Sequence, residues 1–240
     1  MNFIEVIKQK QKDWHGHRQP SIAFLGDSVT HGCFDLYVDD KGIQTYMEMD
    51  KAYHEKVRTI LNTLYPTVPI TIINAGISGD KASEGIKRIE RDVLSYNPDL
   101  VVVCYGLNDS GDAEKGIDEY ITSLKSIFDA VKKKGKEVIF LTPNSITDRL
   151  DVNFAYQEIN KLTEEIVAKK QNDSLKKYIE EARVLCKKEN VPVCDCSRLW
   201  DILSDNDVDV NNLLSNRINH PTERMHWVFA YELVRTMFEK

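Results

Sequence analysis

The 240-residue chain has no apolar run long enough to cross a bilayer, which takes about 20 consecutive residues, so no membrane partner is expected. Its opening, Met1-Asn2-Phe3-Ile4-Glu5-Val6-Ile7-Lys8, is broken by Glu5 and Lys8 and lacks the apolar stretch of a secretory leader. It also has no basic block. Its 32 Lys and Arg against 38 Asp and Glu leave a net charge of -6, which argues against a nucleic-acid surface. Cysteine is scarce and odd in number. Cys104, Cys186, Cys194 and Cys196 fall in segments that read as buried strand or helix, with Cys33 apart from them, a pattern expected of reduced thiols in a cytoplasmic protein. Cys194 and Cys196 alternate sides of a strand with no further ligands in view, so no metal is expected there. No Gly-, Ser- or Pro-rich linker divides the chain, and the expectation is a single domain, 1–240, acting on a small molecule. No feature sets the number of subunits.

What is present is an alternation of apolar strands with helical patterns. Ile22-Ala23-Phe24-Leu25 runs into Gly26-Asp27-Ser28, so a short buried strand ends in a tight turn that carries a hydroxyl. Cys33 to Lys51, rich in Asp, Tyr and Met, reads as an irregular connection, long enough to be functional or mobile. Tyr53, Val57, Ile60, Leu61 and Leu64 recur at helical spacing before Pro66. Further strands are expected at 70–74, 99–104, 137–142 and 191–195. Helices are expected around Ile86, Ile89 and Val93, over Ile117 to Val131 with its stop at Gly135, over 153–189 with a break near Asn172-Asp173-Ser174, and from Glu223 onward. Five strands each followed by helix or loop predict an α/β fold: a three-layer α/β/α sandwich with a five-stranded parallel sheet.

In a parallel sheet the carboxyl ends of the strands lie along one edge, so polar residues distant in sequence converge there. Ser28 ends the first strand, the loop Ala75-Gly76-Ile77-Ser78-Gly79-Asp80 follows the second, and Gly106-Leu107-Asn108-Asp109 follows the third. The backbone amides of Ser28 and Gly79 and the side-chain amide of Asn108 could donate to one oxyanion. A hydroxyl still needs a base, and His220, held by Pro221 before the last helix, is the candidate. His226 lies within a helical pattern and reads as packing or surface; His15 and His17 carry little weight. On its own, Gly26-Asp27-Ser28 could equally be a turn whose Asp27 or Ser28 caps the next helix. It is not the Gly-x-Ser-x-Gly elbow, because Thr30 stands where that motif needs glycine.

Gly26-Asp27-Ser28, Asn74 to Gly79, Gly106 to Asp109 and His220-Pro221, in this order, resemble the four blocks of the SGNH hydrolases, also called GDSL esterases and lipases. The resemblance implies a flavodoxin-like sandwich that hydrolyses carboxylic esters without a cofactor, through an acyl-enzyme. It casts Ser28 as nucleophile, His220 as general base and acid, and Ser28, Gly79 and Asn108 as the oxyanion hole. One position departs from it. The family usually has an aspartate three residues before the histidine, where this chain has Arg217; the far nitrogen of His220 is expected to meet Asp207, Asp209, a backbone carbonyl or Glu223 instead, or else Ser28 and His220 work as a dyad. The run Asp205, Asp207, Asp209 lacks the glycine and glutamate of a calcium loop, since Val210 and Asn216 stand at those places. The substrate expected is a small acyl ester such as an acetylated sugar. The alternative is a catalytically silent binding domain on the same fold, and a flavin or nucleotide site is disfavoured because no Gly-rich phosphate turn follows the first strand.

Overall fold

Ile22 and Phe24 of the first strand pack to one side of the central sheet and Ala23 and Leu25 to the other, as a strand buried on both faces requires. The computed structural model describes residues 2–150 and 153–239. Helix α1 (Phe3–Lys12) precedes β1 (Ser21–Gly26), and the single turn α2 (Ser28–His31) leads into β2 (Cys33–Asp39) and β3 (Gly42–Met47). Then come α3 (Tyr53–Leu64), β4 (Thr71–Gly76), α4 (Ala82–Asp92), β5 (Leu100–Cys104), α5 (Ile117–Lys133) and β6 (Glu137–Leu141). Helices α6 (Gln157–Gln171) and α7 (Ser174–Glu189), strand β7 (Val193–Cys194), and helices α8 (Cys196–Asp205) and α9 (Glu223–Phe238) complete the chain.

Five strands form one parallel sheet in the order β4-β1-β5-β6-β7. Taken among the sheet strands alone this is the flavodoxin-like order, and the succession of strands across the sheet changes sense beside β1, where doubly wound sheets open a ligand crevice. Phe24, Val102 and Ile139 meet Ile7 of α1, Val57 of α3, Trp200 of α8 and Phe229 of α9. On the opposite face Leu25, Val103 and Phe140 meet Ile89 of α4, Phe128 of α5 and Ala182 of α7. The three-layer sandwich expected from the sequence is the fold observed. Strand ends differ by one or two residues, the break between α6 and α7 falls at Asn172-Asp173, and Gly135 follows α5 at φ +69°.

The stretch 33–51 corrects an expectation. It is a hairpin, with β2 and β3 paired antiparallel from Cys33↔Met47 to Asp39↔Gly42. Leu36 and Val38 alternate with the exposed Asp35, Tyr37 and Asp39, a period-2 signal that the acidic residues mask in composition. Asp40-Lys41 makes the two-residue turn, and Gly42 takes φ +96° beside it. Helix α6 lies against both strands. Helices α1 and α8 were also not anticipated; both are short amphipathic segments that pack on one side of the sheet. His226 is a packing residue: it is buried, and its Nδ1 accepts from the Tyr53 backbone amide at 3.0 Å, tying α9 to α3.

Candidate functional site

Asp27 caps α2, its Oδ1 accepting from Val29 N at 3.0 Å, so Ser28 occupies the first turn of a helix that begins directly at the end of β1. An N–H at that position has no intrahelical acceptor and is left for a ligand. Burial pushes the Asp27 carboxyl up to about 7, so the capping acid is largely desolvated rather than a free charge beside the serine. The turn reading and the functional reading of Gly26-Asp27-Ser28 therefore coexist: the aspartate caps and the serine is presented.

The second loop is seated on α2. Ser78 N donates to His31 Nδ1 at 3.3 Å, and Asn74 Nδ2 donates to His31 O at 3.2 Å. A Cβ at Gly76 would meet the His31 backbone at 2.3 Å, so only glycine lets the loop approach. Gly79 has φ +81° and open space where a side chain would project. Asn108 follows β5; its Nδ2 spends one proton on Asp80 O at 2.9 Å and keeps a second. Beneath these loops Arg88 donates to Asp80 Oδ2, Ala75 O, Gly26 O and the Tyr105 hydroxyl, and Asp109 Oδ1 accepts from Ala82 N. Sequence patterning did not single out Arg88 and Asp80. The signal for Arg88 is only a charge on the inward face of α4.

His220 arrives on a loop closed by the Leu214–Pro221 bridge and by Ser215 N donating to His220 O at 2.7 Å. Its Nε2 lies 3.0 Å from Ser28 Oγ. The imidazole is buried, and desolvation takes it down to about 4, which keeps the ring neutral near pH 7. Its far nitrogen, Nδ1, faces Asn216 Nδ2 at 3.0 Å and Cys33 Sγ at 3.5 Å.

None of the expected acids reaches the ring: among the described residues no hydrogen bond joins Asp207, Asp209 or Glu223 to His220. Glu223 Oε1 accepts from Lys56 Nζ at 2.7 Å, and Asp209 Oδ2 accepts from Arg149 Nη2 at 2.7 Å. Asp207 sits in the turn after α8 at φ +62°, its amide donating to Ser204 O. Arg217 itself takes φ +59°, and its guanidinium bonds Asn212 Oδ1. Asn216, four residues before the histidine, faces the ring, and Arg217 does not.

Ser28, Gly79, Asn108 and His220 line one cavity of about 320 Å³. The hairpin contributes Leu36, Ile43 and Thr45 to its wall, and α6 contributes Leu162, Ile166 and Lys169. The four residues singled out in the sequence thus come together, with an apolar wall that composition had hidden in the stretch 33–51. Among the described residues no group of three or more His, Cys, Asp or Glu is placed to hold a metal ion, and no helix is long and apolar enough to cross a membrane.

A hydroxyl bonded to an imidazole at the carboxyl edge of a parallel sheet, over loops rich in amide donors, is an arrangement suited to acyl transfer. The chain belongs to the GDSL-like lipase/acylhydrolase family, whose sequence profile matches residues 24–228. An acetylxylan esterase of Geobacillus stearothermophilus is 29% identical over 131 residues, covering 51% of this chain and 58% of that protein. The chain thus spans little more than half the length of that curated relative. Among solved structures, a lipase/acylhydrolase from Enterococcus faecalis superposes with a TM-score of 0.67 at 19% identity, covering 90% of this chain and 94% of that one. A two-domain esterase active on acetylated mannans gives 0.67 at 17% identity over 99% of this chain and 54% of its own. At these identities the structural likenesses establish the α/β fold.

Proposed function

We propose that residues 1–240 act as one domain that hydrolyses small carboxylic esters, acetylated sugars foremost, through an acyl-enzyme on Ser28. The observation that carries the reading is the 3.0 Å contact between Ser28 Oγ and His220 Nε2 inside the cavity lined by Gly79 and Asn108. Ser28 Oγ attacks the ester carbonyl carbon as its proton passes to Nε2. The carbonyl electrons move onto oxygen, which the Ser28 and Gly79 amides and the free Asn108 proton receive. Collapse expels the alcohol, protonated by His220, and water activated by the same ring releases the acid. No step calls for a cofactor, metal or nucleic acid. Leu36, Ile43 and Leu107 form an apolar wall suited to a short acyl chain. The acetylxylan and acetylated-mannan esterases among its relatives support the sugar part. Five unpaired, buried cysteines suit a reducing, cytoplasmic location.

One observation favours a second reading, a silent binding domain on the same fold: among the described residues no carboxylate bonds His220 Nδ1. A series of p-nitrophenyl esters of increasing chain length, with acetylated xylo- and manno-oligosaccharides, tests the two. The expected result is hydrolysis that falls with acyl length. No turnover of any ester, together with no labelling of Ser28 by a fluorophosphonate, would favour the silent domain.

The oxyanion assignment makes a separate prediction. Asn108→Ala should lower kcat by about 10²–10³-fold with a smaller change in KM, the usual effect of losing one such donor. Because Asn108 Nδ2 also bonds Asp80 O, a purely positional residue would instead lower thermal stability and leave kcat near wild type.

A further inference from the structure

We propose that Asn216 is a positioning residue that holds His220 in the tautomer carrying its proton on Nε2, so that the ring rests as a donor to Ser28 Oγ. The inference rests on the esterase reading for its consequence but on hydrogen-bond geometry for its content. An asparagine amide can present oxygen or nitrogen to a neighbour, and the two ends are told apart by their other partners. Asn216 Oδ1 accepts three backbone amides, Ile218 N at 3.0 Å, Asn219 N at 2.9 Å and His220 N at 3.0 Å. An NH2 group cannot take that place, because it would face three donors with none to accept. The end turned to the imidazole is therefore Nδ2. Its two protons have two acceptors: Asn219 Oδ1 at 2.9 Å and His220 Nδ1 at 3.0 Å.

An amide nitrogen only donates, so Nδ1 must offer its lone pair, and in a neutral ring the single proton then sits on Nε2. Burial keeps the ring neutral. The other group at Nδ1, the Cys33 thiol, is pushed up to about 12 by burial and stays protonated, so it brings no anion to draw the proton over. Nucleophilic attack requires the opposite arrangement: the Ser28 Oγ–H bond breaks and an Nε2–H bond forms, which needs a free lone pair on Nε2. To reach it the ring must first move its proton to Nδ1, against the Asn216 N–H. An asparagine facing a catalytic histidine in the wrong tautomer slows serine-protease turnover by about 10⁴-fold.

Asn216→Asp supplies the missing acceptor within the same loop. One carboxylate oxygen keeps the three backbone amides and the other accepts a hydrogen bond from a protonated Nδ1. The measurement is twofold: kcat on p-nitrophenyl acetate, and the ¹⁵N imidazole spectrum of the uniformly labelled chain, with His220 picked out of the six histidines by its loss in His220→Gln. The expected spectrum has protonated Nε2 in wild type and protonated Nδ1 in Asn216→Asp. The expected rate gain is about 10³–10⁴-fold with little change in KM. A wild-type spectrum with the proton on Nδ1 overturns the inference whatever the rates, and needs no variant at 216 to fold. A tautomer that moves as expected while both proteins stay inactive supports Asn216 as the tautomer-setting group and overturns the esterase reading instead.

Discussion

Ser28→Ala is expected to remove about 10²-fold of ester turnover from the wild-type chain and about 10⁶-fold from the Asn216→Asp variant. Loss of the nucleophile in a complete serine hydrolase costs about 10⁶ in kcat, because the acyl-enzyme route is closed and only binding and oxyanion donors remain. With His220 in the proposed tautomer the route starts out slowed, so less is left to lose. The two substitutions are coupled through one proton path, from Oγ to Nε2 at 3.0 Å and from Nδ1 to position 216 at 3.0 Å, and their effects should not add. Single-turnover kinetics on p-nitrophenyl acetate with the four proteins measures the coupling directly. Equal Ser28→Ala losses in both backgrounds would mean that His220 acts independently of Asn216. Folding should be unaffected, since among the described residues the serine hydroxyl bonds the imidazole alone.

Arg88→Leu is expected to destabilise the fold by about 3–5 kcal/mol, the effect of stripping one partner from a buried ion pair. Arg88 and Asp80 are both buried; Asp80 Oδ2 accepts from Arg88 Nε at 2.9 Å and Nη2 at 2.6 Å and from the Tyr105 hydroxyl at 3.0 Å. Removing the guanidinium leaves that carboxylate uncompensated. It also removes the bonds from Arg88 Nη1 and Nη2 to Ala75 O and Gly26 O, near the ends of β4 and β1, at 2.7 and 3.2 Å, leaving Gly26 O with the Ile77 amide. Gly26 lies two residues before Ser28, and Asp80 O is the acceptor that aims Asn108, so ester turnover should fall along with stability. Urea denaturation reads the first effect. The double variant Arg88→Leu/Asp80→Leu, with no charge left stranded, should recover most of the stability but not the activity. A loss below about 1 kcal/mol in the single variant would show that water reaches Asp80 and that the pair acts as a surface bridge.

The hairpin is legible in the period of its residues and masked by their composition. Asp, Tyr and Met made 33–51 look irregular, whereas Leu36 and Val38 spaced by two point inward and Asp40-Lys41-Gly42 carries turn chemistry. The acid partner of His220 failed for another reason. Counting back from the histidine assumes a fixed loop path, and here Asn216, one position earlier, is the residue that faces the ring. A left-handed arginine has no sequence signal, since only glycine and asparagine adopt that region readily.

By itself the sequence determined the layers and the strand ends on which Ser28, Gly79 and Asn108 sit. Apolar periodicity sets which segments become strands, and a parallel sheet necessarily gathers their carboxyl ends, so Ser28, Gly79 and Asn108 had to share an edge whatever the details of packing. Only the tertiary structure decided what surrounds them. The Asn216 amide is oriented by three backbone N–H groups of its own loop, Cys33 meets His220 across 187 positions of chain, and Arg88 crosses from α4 to two strand ends. Each of these depends on where a side chain points once the loops are closed. A hydrogen-bond partner is chosen within a few tenths of an ångström, a tolerance far finer than periodicity or spacing can convey.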